Sequence, residues 1–204
     1  MAFELTAVDG CFCAIGAIGT FASLQWLDHD LLQGPPDCDG PCAVWSGALT
    51  ADRFEPSPLN WLPGAREQLA RCLEGLPESV LIRPHYAQVL NDVPGTRSML
   101  ADRGERRVAI DLAALLAPSM VRDPDPHVDR ILHGLAPMAG AILLSDAVVD
   151  EAGRTRAVPM GEGVLPGASV GRALVEWVDP HWAASNAICV WSTDVAAASA
   201  WLGF

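Results

Sequence analysis

The chain has 204 residues and a formal net charge of −12, its 13 basic residues, all arginine, facing 25 acidic ones. That balance repels a phosphate backbone and the arginines form no stripe, which excludes nucleic acid as a partner. With no lysine present, Schiff-base chemistry on a side-chain amine is excluded as well. Half of the residues are hydrophobic, yet no stretch of about eighteen apolar residues runs unbroken, so no membrane span is expected. The length suits one substantial core, and residues 1–204 are read as a single domain.

Residues 3–13 read as a strand and 15–32 as a helix, the latter on Phe21, Leu24, Leu27 and Leu31 at helical spacing. The most apolar stretch, 11–27, follows Glu4 and Asp9 with no basic residue before it, so it lacks the charged start of a secretion signal. A cytoplasmic location is expected. Residues 33–41 form a Pro/Gly/Asp loop and 43–45 the next strand. Residues 50–63, with prolines at 56, 58 and 63, are the longest candidate for an active-site loop or lid.

From there the pattern is regular. Helices are expected at 64–76, 94–103, 125–135, 168–177 and 194–202, strands at 79–82, 107–112, 141–144 and 187–191, and a polar loop at 150–167. Six strands thus alternate with about as many helices, the order that builds a parallel α/β sheet. Three apolar runs end in polar clusters: Val80-Leu81-Ile82 into Arg83-Pro84-His85, Val108-Ala109-Ile110 into Asp111, and residues 141–144 into Ser145-Asp146. Parallel strands bury their lengths and present chemistry at their C-terminal ends.

The six cysteines, without a secretion signal, are read as reduced. Cys11, Cys13, Cys38 and Cys42 could supply four thiolates to zinc, but their spacing fits no zinc motif, and buried or loop thiols are the simpler reading. No Gly-x-Ser-x-Gly, Walker or dinucleotide fingerprint is present. His29, flanked by Asp28 and Asp30, is read as solvated on the predicted helix; His127, His133 and His181 fall on or beside helices, which argues against a three-histidine site.

From residue 79 to 202 the chain resembles the sugar isomerase and epimerase family with the xylose-isomerase-like TIM barrel. The landmarks are Leu81-Ile82-Arg83-Pro84-His85, where the family has an L-E-N-H-like sequence; Ile110-Asp111-Leu112-Ala113-Ala114, where it has D-T-x-H; Leu143-Leu144-Ser145-Asp146, where it has H-x-x-D; and Gly161-Glu162-Gly163, where it has a G-x-G turn before a helix. The resemblance implies an α/β, TIM-barrel-like (β/α) fold. A full barrel needs about 250 residues, so an incomplete or shortened one of about six to seven strands is expected, with 1–78 a divergent N-terminal part and 79–204 the recognisable part. An edge would then be left for a helix, a second copy or a protein partner to cover.

The resemblance also implies a divalent cation gripped by three carboxylates and a histidine from four strand ends. Carried over residue by residue, only Asp111 matches. Arg83 replaces the first carboxylate, Leu143 the histidine, Trp191 or Ser192 the last carboxylate, and Ala114 the histidine of D-x-x-H. A guanidinium cannot be deprotonated, so no metal or other cofactor is expected. Arg83, Asp111, Ser145 and Asp146 remain as candidate ligand-binding residues, with His85 as a candidate base and Glu162, between two glycines, as a second. Two readings of Arg83 stay open: an ion pair with Asp111 in the old metal position, or a grip on an anionic ligand. The expected function is a divergent isomerase/epimerase-like protein that has lost its metal site and binds a small polar or anionic, sugar-like metabolite or a protein partner. The alternative is an active isomerase or epimerase on a small sugar, polyol or sugar phosphate.

Overall fold

A computed structural model describes residues 5–7, 12–16, 24–101, 108–178, 187–192 and 194–204. In chain order the elements are β1 (Leu5–Ala7), β2 (Phe12–Gly16), β3 (Gln25–Asp30), β4 (Cys42–Trp45), α1 (Pro63–Leu73), β5 (Val80–Arg83), α2 (Val93–Leu100), β6 (Val108–Asp111), α3 (Asp125–Leu135), β7 (Ala139–Leu144), β8 (Asp146–Val149), β9 (Thr155–Val158), α4 (Gly167–Trp177), β10 (Ala187–Trp191) and α5 (Val195–Leu202). Eight strands share one sheet in the order β1-β2-β10-β7-β6-β5-β4-β3. The six from β10 to β3 run parallel, and β2 and β1 continue the sheet antiparallel. The parallel set curls into part of a barrel, giving an incomplete TIM-barrel-like α/β fold.

Alternation along the strands creates two different faces. Val44, Val80, Ile82, Val108, Ile110, Ile142, Leu144, Ile188 and Val190 point outward into one apolar core. The helices bury their own stripes against it: Leu69 and Leu73 of α1, Val128, Ile131, Leu132 and Leu135 of α3, Val170 and Leu174 of α4. The opposite face carries Ala43, Leu81, Ala109 and Ala141 as a separate small cluster, with Leu24 and Trp26 packed on it. Short side chains there let the sheet curve inward. One step further along each strand this inner face turns polar, at Trp45, Arg83 and Asp111.

Helix ends follow local chemistry. The Asp92 carboxylate caps α2 through Gly95 N at 2.7 Å, and Asp194 caps α5 through the amides of Ala196 and Ala197. Helices α4 and α5 meet so closely that a Cβ on Gly171 would lie 1.9 Å from the carbonyl oxygen of Leu202.

Three sequence expectations are corrected. The helix expected at 15–32 is not formed: Ile15 and Gly16 end β2, Gln25–Asp30 is a strand, Leu31–Gln33 is a single 3-10 turn, and 17–23 lie outside the described residues. Pairing with β4, registered from Gln25↔Cys42 to Asp30↔Trp45, overrides the helical spacing of the leucines. The single strand expected at 3–13 is instead two antiparallel strands, β1 and β2. The polar loop expected at 150–167 begins as an antiparallel hairpin, β8 with β9, registered from Asp146↔Val158 to Val149↔Thr155. No helix among the described residues is long and apolar enough to cross a membrane.

Candidate functional site

The parallel register brings the C-terminal ends of β4, β5 and β6 side by side, with Trp45 opposite Arg83 and Asp111 opposite Leu143 on β7. Arg83 and Asp111, 28 positions apart, form an ion pair: Nε donates to Oδ2 at 3.1 Å and Nη2 donates to the same oxygen. Asp111 is 1% exposed and its other oxygen accepts from Ala114 N at 3.3 Å. The guanidinium lies over the Trp45 ring at 3.6 Å and faces Trp26 at 5.2 Å. Nη1 of Arg83 has no acceptor among the described residues.

Above the pair lies a cavity of about 290 Å³. Its floor is Arg83 and Asp111, one wall is aromatic through Trp45, Phe54 and His85, and the hairpin closes the other side with Arg154, Thr155 and Arg156. The loops are held by buried amides. Gln88 Oε1 accepts from Ser46 Oγ and Gly47 N, each at 3.1 Å, while Asn60 joins Leu49 N to the Ala87 carbonyl. Arg154 ties the hairpin to the 50–57 loop through Asp52 at 2.9 Å, and reaches Asp150 at 3.7 Å. A larger, apolar groove of about 1090 Å³ on the outer side of the hairpin carries Arg122 as its one titratable side chain.

His85 is 4% exposed and packed among Trp45, Phe54 and Tyr86, with ring centroids 4.6–5.5 Å apart. Its Nδ1 accepts from Ala87 N at 3.1 Å, which puts the proton of the neutral ring on Nε2. Burial lowers its pKa to about 4 from an ordinary 6.5; the neighbouring Asp111 opposes that shift and Arg83 adds to it. The unfolded chain therefore takes up a proton on this ring that the folded one refuses between those values. Stability from this residue is complete above pH 6.5 and is lost as the pH falls towards 4, by about 3 kcal/mol in all. Urea titrations at pH 7.5 and 4.5 should show that His85→Gln, which cannot titrate, loses less stability on acidification than the wild type does. Equal losses would mean that His85 is solvated.

The other nominated residues lie elsewhere. Ser145 is fully buried with its Oγ unpartnered among the described residues. Asp146, 1% exposed, accepts from the backbone amides of Ala147, Gly161, Gly163 and Leu165 at 2.8–3.2 Å, so its carboxylate holds the 159–165 turn. Glu162 is exposed on that turn and does not line the cavity. Residues that the sequence reading did not single out as site residues, Phe54, Arg154, Thr155 and Arg156, do line it. The sequence signal for the hairpin is slight: residues 146–149 and 155–158 do not alternate, and only the turn glycine, Gly153 at φ 75°, marks the reversal between them.

The donors do not fit a divalent cation. Among the described residues no group of three His, Cys, Asp or Glu side chains could hold a metal ion, and the one matching carboxylate is already bonded to Arg83. Of the four cysteines considered for zinc, Cys11 lies outside the described residues. The Cys42 thiol is pushed up to about 12 by burial and the adjacent Cys38, so it stays protonated at neutral pH. His29 sits on β3, not on a helix, with Nε2 2.8 Å from the Gly34 carbonyl; His181 lies outside the described residues.

No protein-family model and no curated protein matches the chain. Among solved structures it is similar to a xylose isomerase-like TIM barrel protein from Mycobacterium smegmatis, crystallised in complex with magnesium, at 12% identity and a TM-score of 0.48. The match covers 79% of this chain and 61% of that one, so the chain spans about three-fifths of that structure's length.

Proposed function

We propose that the protein binds a small anionic metabolite on Arg83, without a metal, at the strand ends where a metal-dependent barrel of this kind would grip its cation. The observation that carries this reading is the state of Arg83. Asp111 and Trp45 fix its plane, while Nη1 stays without an acceptor among the described residues, at the floor of a cavity that opens to solvent. Three arginines line that cavity, Arg83 held by Asp111, Arg154 by Asp52 and Asp150, and Arg156 exposed, in a chain of net charge −12. A fixed guanidinium against low-dielectric walls suits a carboxylate or phosphate better than a free surface arginine does.

This reading is favoured over an active isomerase or epimerase because His85 offers the cavity a donor at Nε2 rather than a basic lone pair, and Glu162 lies outside it. The test is calorimetry with manganese, magnesium, cobalt and zinc, beside thermal melts with inorganic phosphate, sugar phosphates and sugar acids. An anion at about a hundredfold excess over its Kd should stabilise by about 2.7 kcal/mol, raising the melting temperature by about 5–10 °C. Stoichiometric binding of a divalent ion at the strand ends, or melts unmoved by every anion, would overturn the proposal.

A further inference from the structure

The floor of the cavity offers hydrogen-bond donors, and the side-chain acceptors around it are already engaged. Nε and Nη2 of Arg83 are committed to Asp111, which leaves Nη1 and the second hydrogen of Nη2 as a planar two-donor fork of the width of a carboxylate. Beside it stands His85, 4% exposed, whose Nδ1 is taken by Ala87 N. Its Nε2–H is therefore a third donor, without a partner among the described residues, on a ring that lines the cavity. Trp45 holds these two side chains near each other: the Arg83 guanidinium lies 3.6 Å from its ring centroid and the His85 ring 5.5 Å from it. The acceptors are spent. Asp111 accepts from Arg83 and Ala114 N, Asp150 accepts from Arg154 N at 2.9 Å, and Thr155 Oγ1 is sealed off from the cavity.

We infer, resting on the anion site proposed above, that the ligand is a small 2-oxo acid: its carboxylate takes the free fork of Arg83 and its oxo oxygen accepts from Nε2–H of His85. Such an acid presents three neighbouring acceptor atoms and no donor, the complement of what the cavity floor carries. A hydroxy acid or a sugar acid would bring O–H groups to side chains that cannot receive them, and a hydroxyl taken out of water without a partner is costly. The carbon chain would lie against Phe54, Ala114 and Ala157, which give it an apolar lining. The size agrees, because about 290 Å³ lies at the lower end of small-molecule sites.

Calorimetry on the full chain tests this with pyruvate and 2-oxobutyrate against lactate, which carries a hydroxyl instead, against propionate, which carries neither, and against inorganic phosphate. The better oxo acid should bind about ten-fold more tightly than propionate and than lactate. His85→Phe, which keeps a ring between Trp45, Phe54 and Tyr86 but offers no N–H, should bind pyruvate and propionate alike. His85→Gln retains both an acceptor for Ala87 N and a donor, so it should keep the preference, and it guards against a phenylalanine variant that fails to fold. Lactate or propionate binding as tightly as pyruvate overturns the 2-oxo acid assignment and leaves the anion site standing, as does phosphate binding tighter than every carboxylate. A His85→Phe variant that still prefers pyruvate, or that binds no acid at all, overturns the role given to Nε2–H. No binding of any anion by the wild type removes both proposals.

Discussion

Arg83→Ala is expected to destabilise the protein by about 3–5 kcal/mol, because it strands a buried carboxylate. Asp111 is 1% exposed and its Oδ2 receives hydrogen bonds from Arg83 alone, leaving Ala114 N as the remaining donor on the other oxygen. The Arg83 side chain is 15% exposed, so water cannot easily replace it, and its removal also empties the face of Trp45. The cost arises from the charge left behind and not from an intrinsic strength of the pair. The double variant Arg83→Met, Asp111→Leu should therefore recover most of the loss, as buried pairs replaced by apolar residues of similar volume commonly do. Urea denaturation of the two single variants and the double variant forms the thermodynamic cycle. A loss below about 1 kcal/mol for Arg83→Ala would place the pair among solvated surface bridges, and the fixed guanidinium on which the anion site depends would not exist.

The parallel strands of this fold were readable because their determinants are local. Runs such as Val80-Leu81-Ile82 and Val108-Ala109-Ile110 are apolar on both faces, as strands covered on both sides must be, and helices such as α3 carry their stripe in the spacing of Val128, Ile131, Leu132 and Leu135. Strand β3 was not readable. Its residues, Gln25-Trp26-Leu27-Asp28-His29-Asp30, are mostly polar, and the leucines at 24, 27 and 31 mimic a helix. What makes it a strand is its parallel pairing with the edge of β4, Gln25 against Cys42, which leaves no mark on the segment itself. The six-strand expectation thus agreed in number with the six parallel strands but not in membership: β3 joins them, and the N-terminal strand became the antiparallel β1 and β2.

Legibility of the candidate site divides in the same way. Arg83 and Asp111 end adjacent strands on the same face; the register pairs Ile82 with Val108, and the long arginine side chain spans the remaining two-residue offset to Asp111. The cavity around them is built from loops, and loops converge through non-local contacts: Phe54 reaches His85 from the 50–57 segment, and Arg154 reaches Asp52 across 102 positions. Asp146 shows the opposite error. It too follows a strand end, but the chain turns there into β8, and the carboxylate is aimed at backbone amides instead of the cavity.

That position carries the second large effect. Asp146→Ala is expected to cost about 3–5 kcal/mol, since hydrogen bonds to a charged acceptor contribute roughly 1.5–3 kcal/mol each and are not additive. Four amides, of Ala147, Gly161, Gly163 and Leu165, lose their acceptor together. The turn is built closely around the carboxylate: a Cβ on Gly163 would stand 2.4 Å from Asp146 Oδ1. Asp146→Asn preserves the volume but points an amide donor at N–H donors, so it should lose a large part of the same stability. Since this turn follows directly on β9, the damage should spread to the hairpin that presents Arg154 and Arg156 to the cavity. Limited proteolysis should then cut within 150–166 in the variant and spare the wild type, while urea denaturation gives the magnitude. Wild-type stability in Asp146→Ala would show that water satisfies these amides and that the hairpin is held by its own pairing and by the Arg154–Asp52 contact.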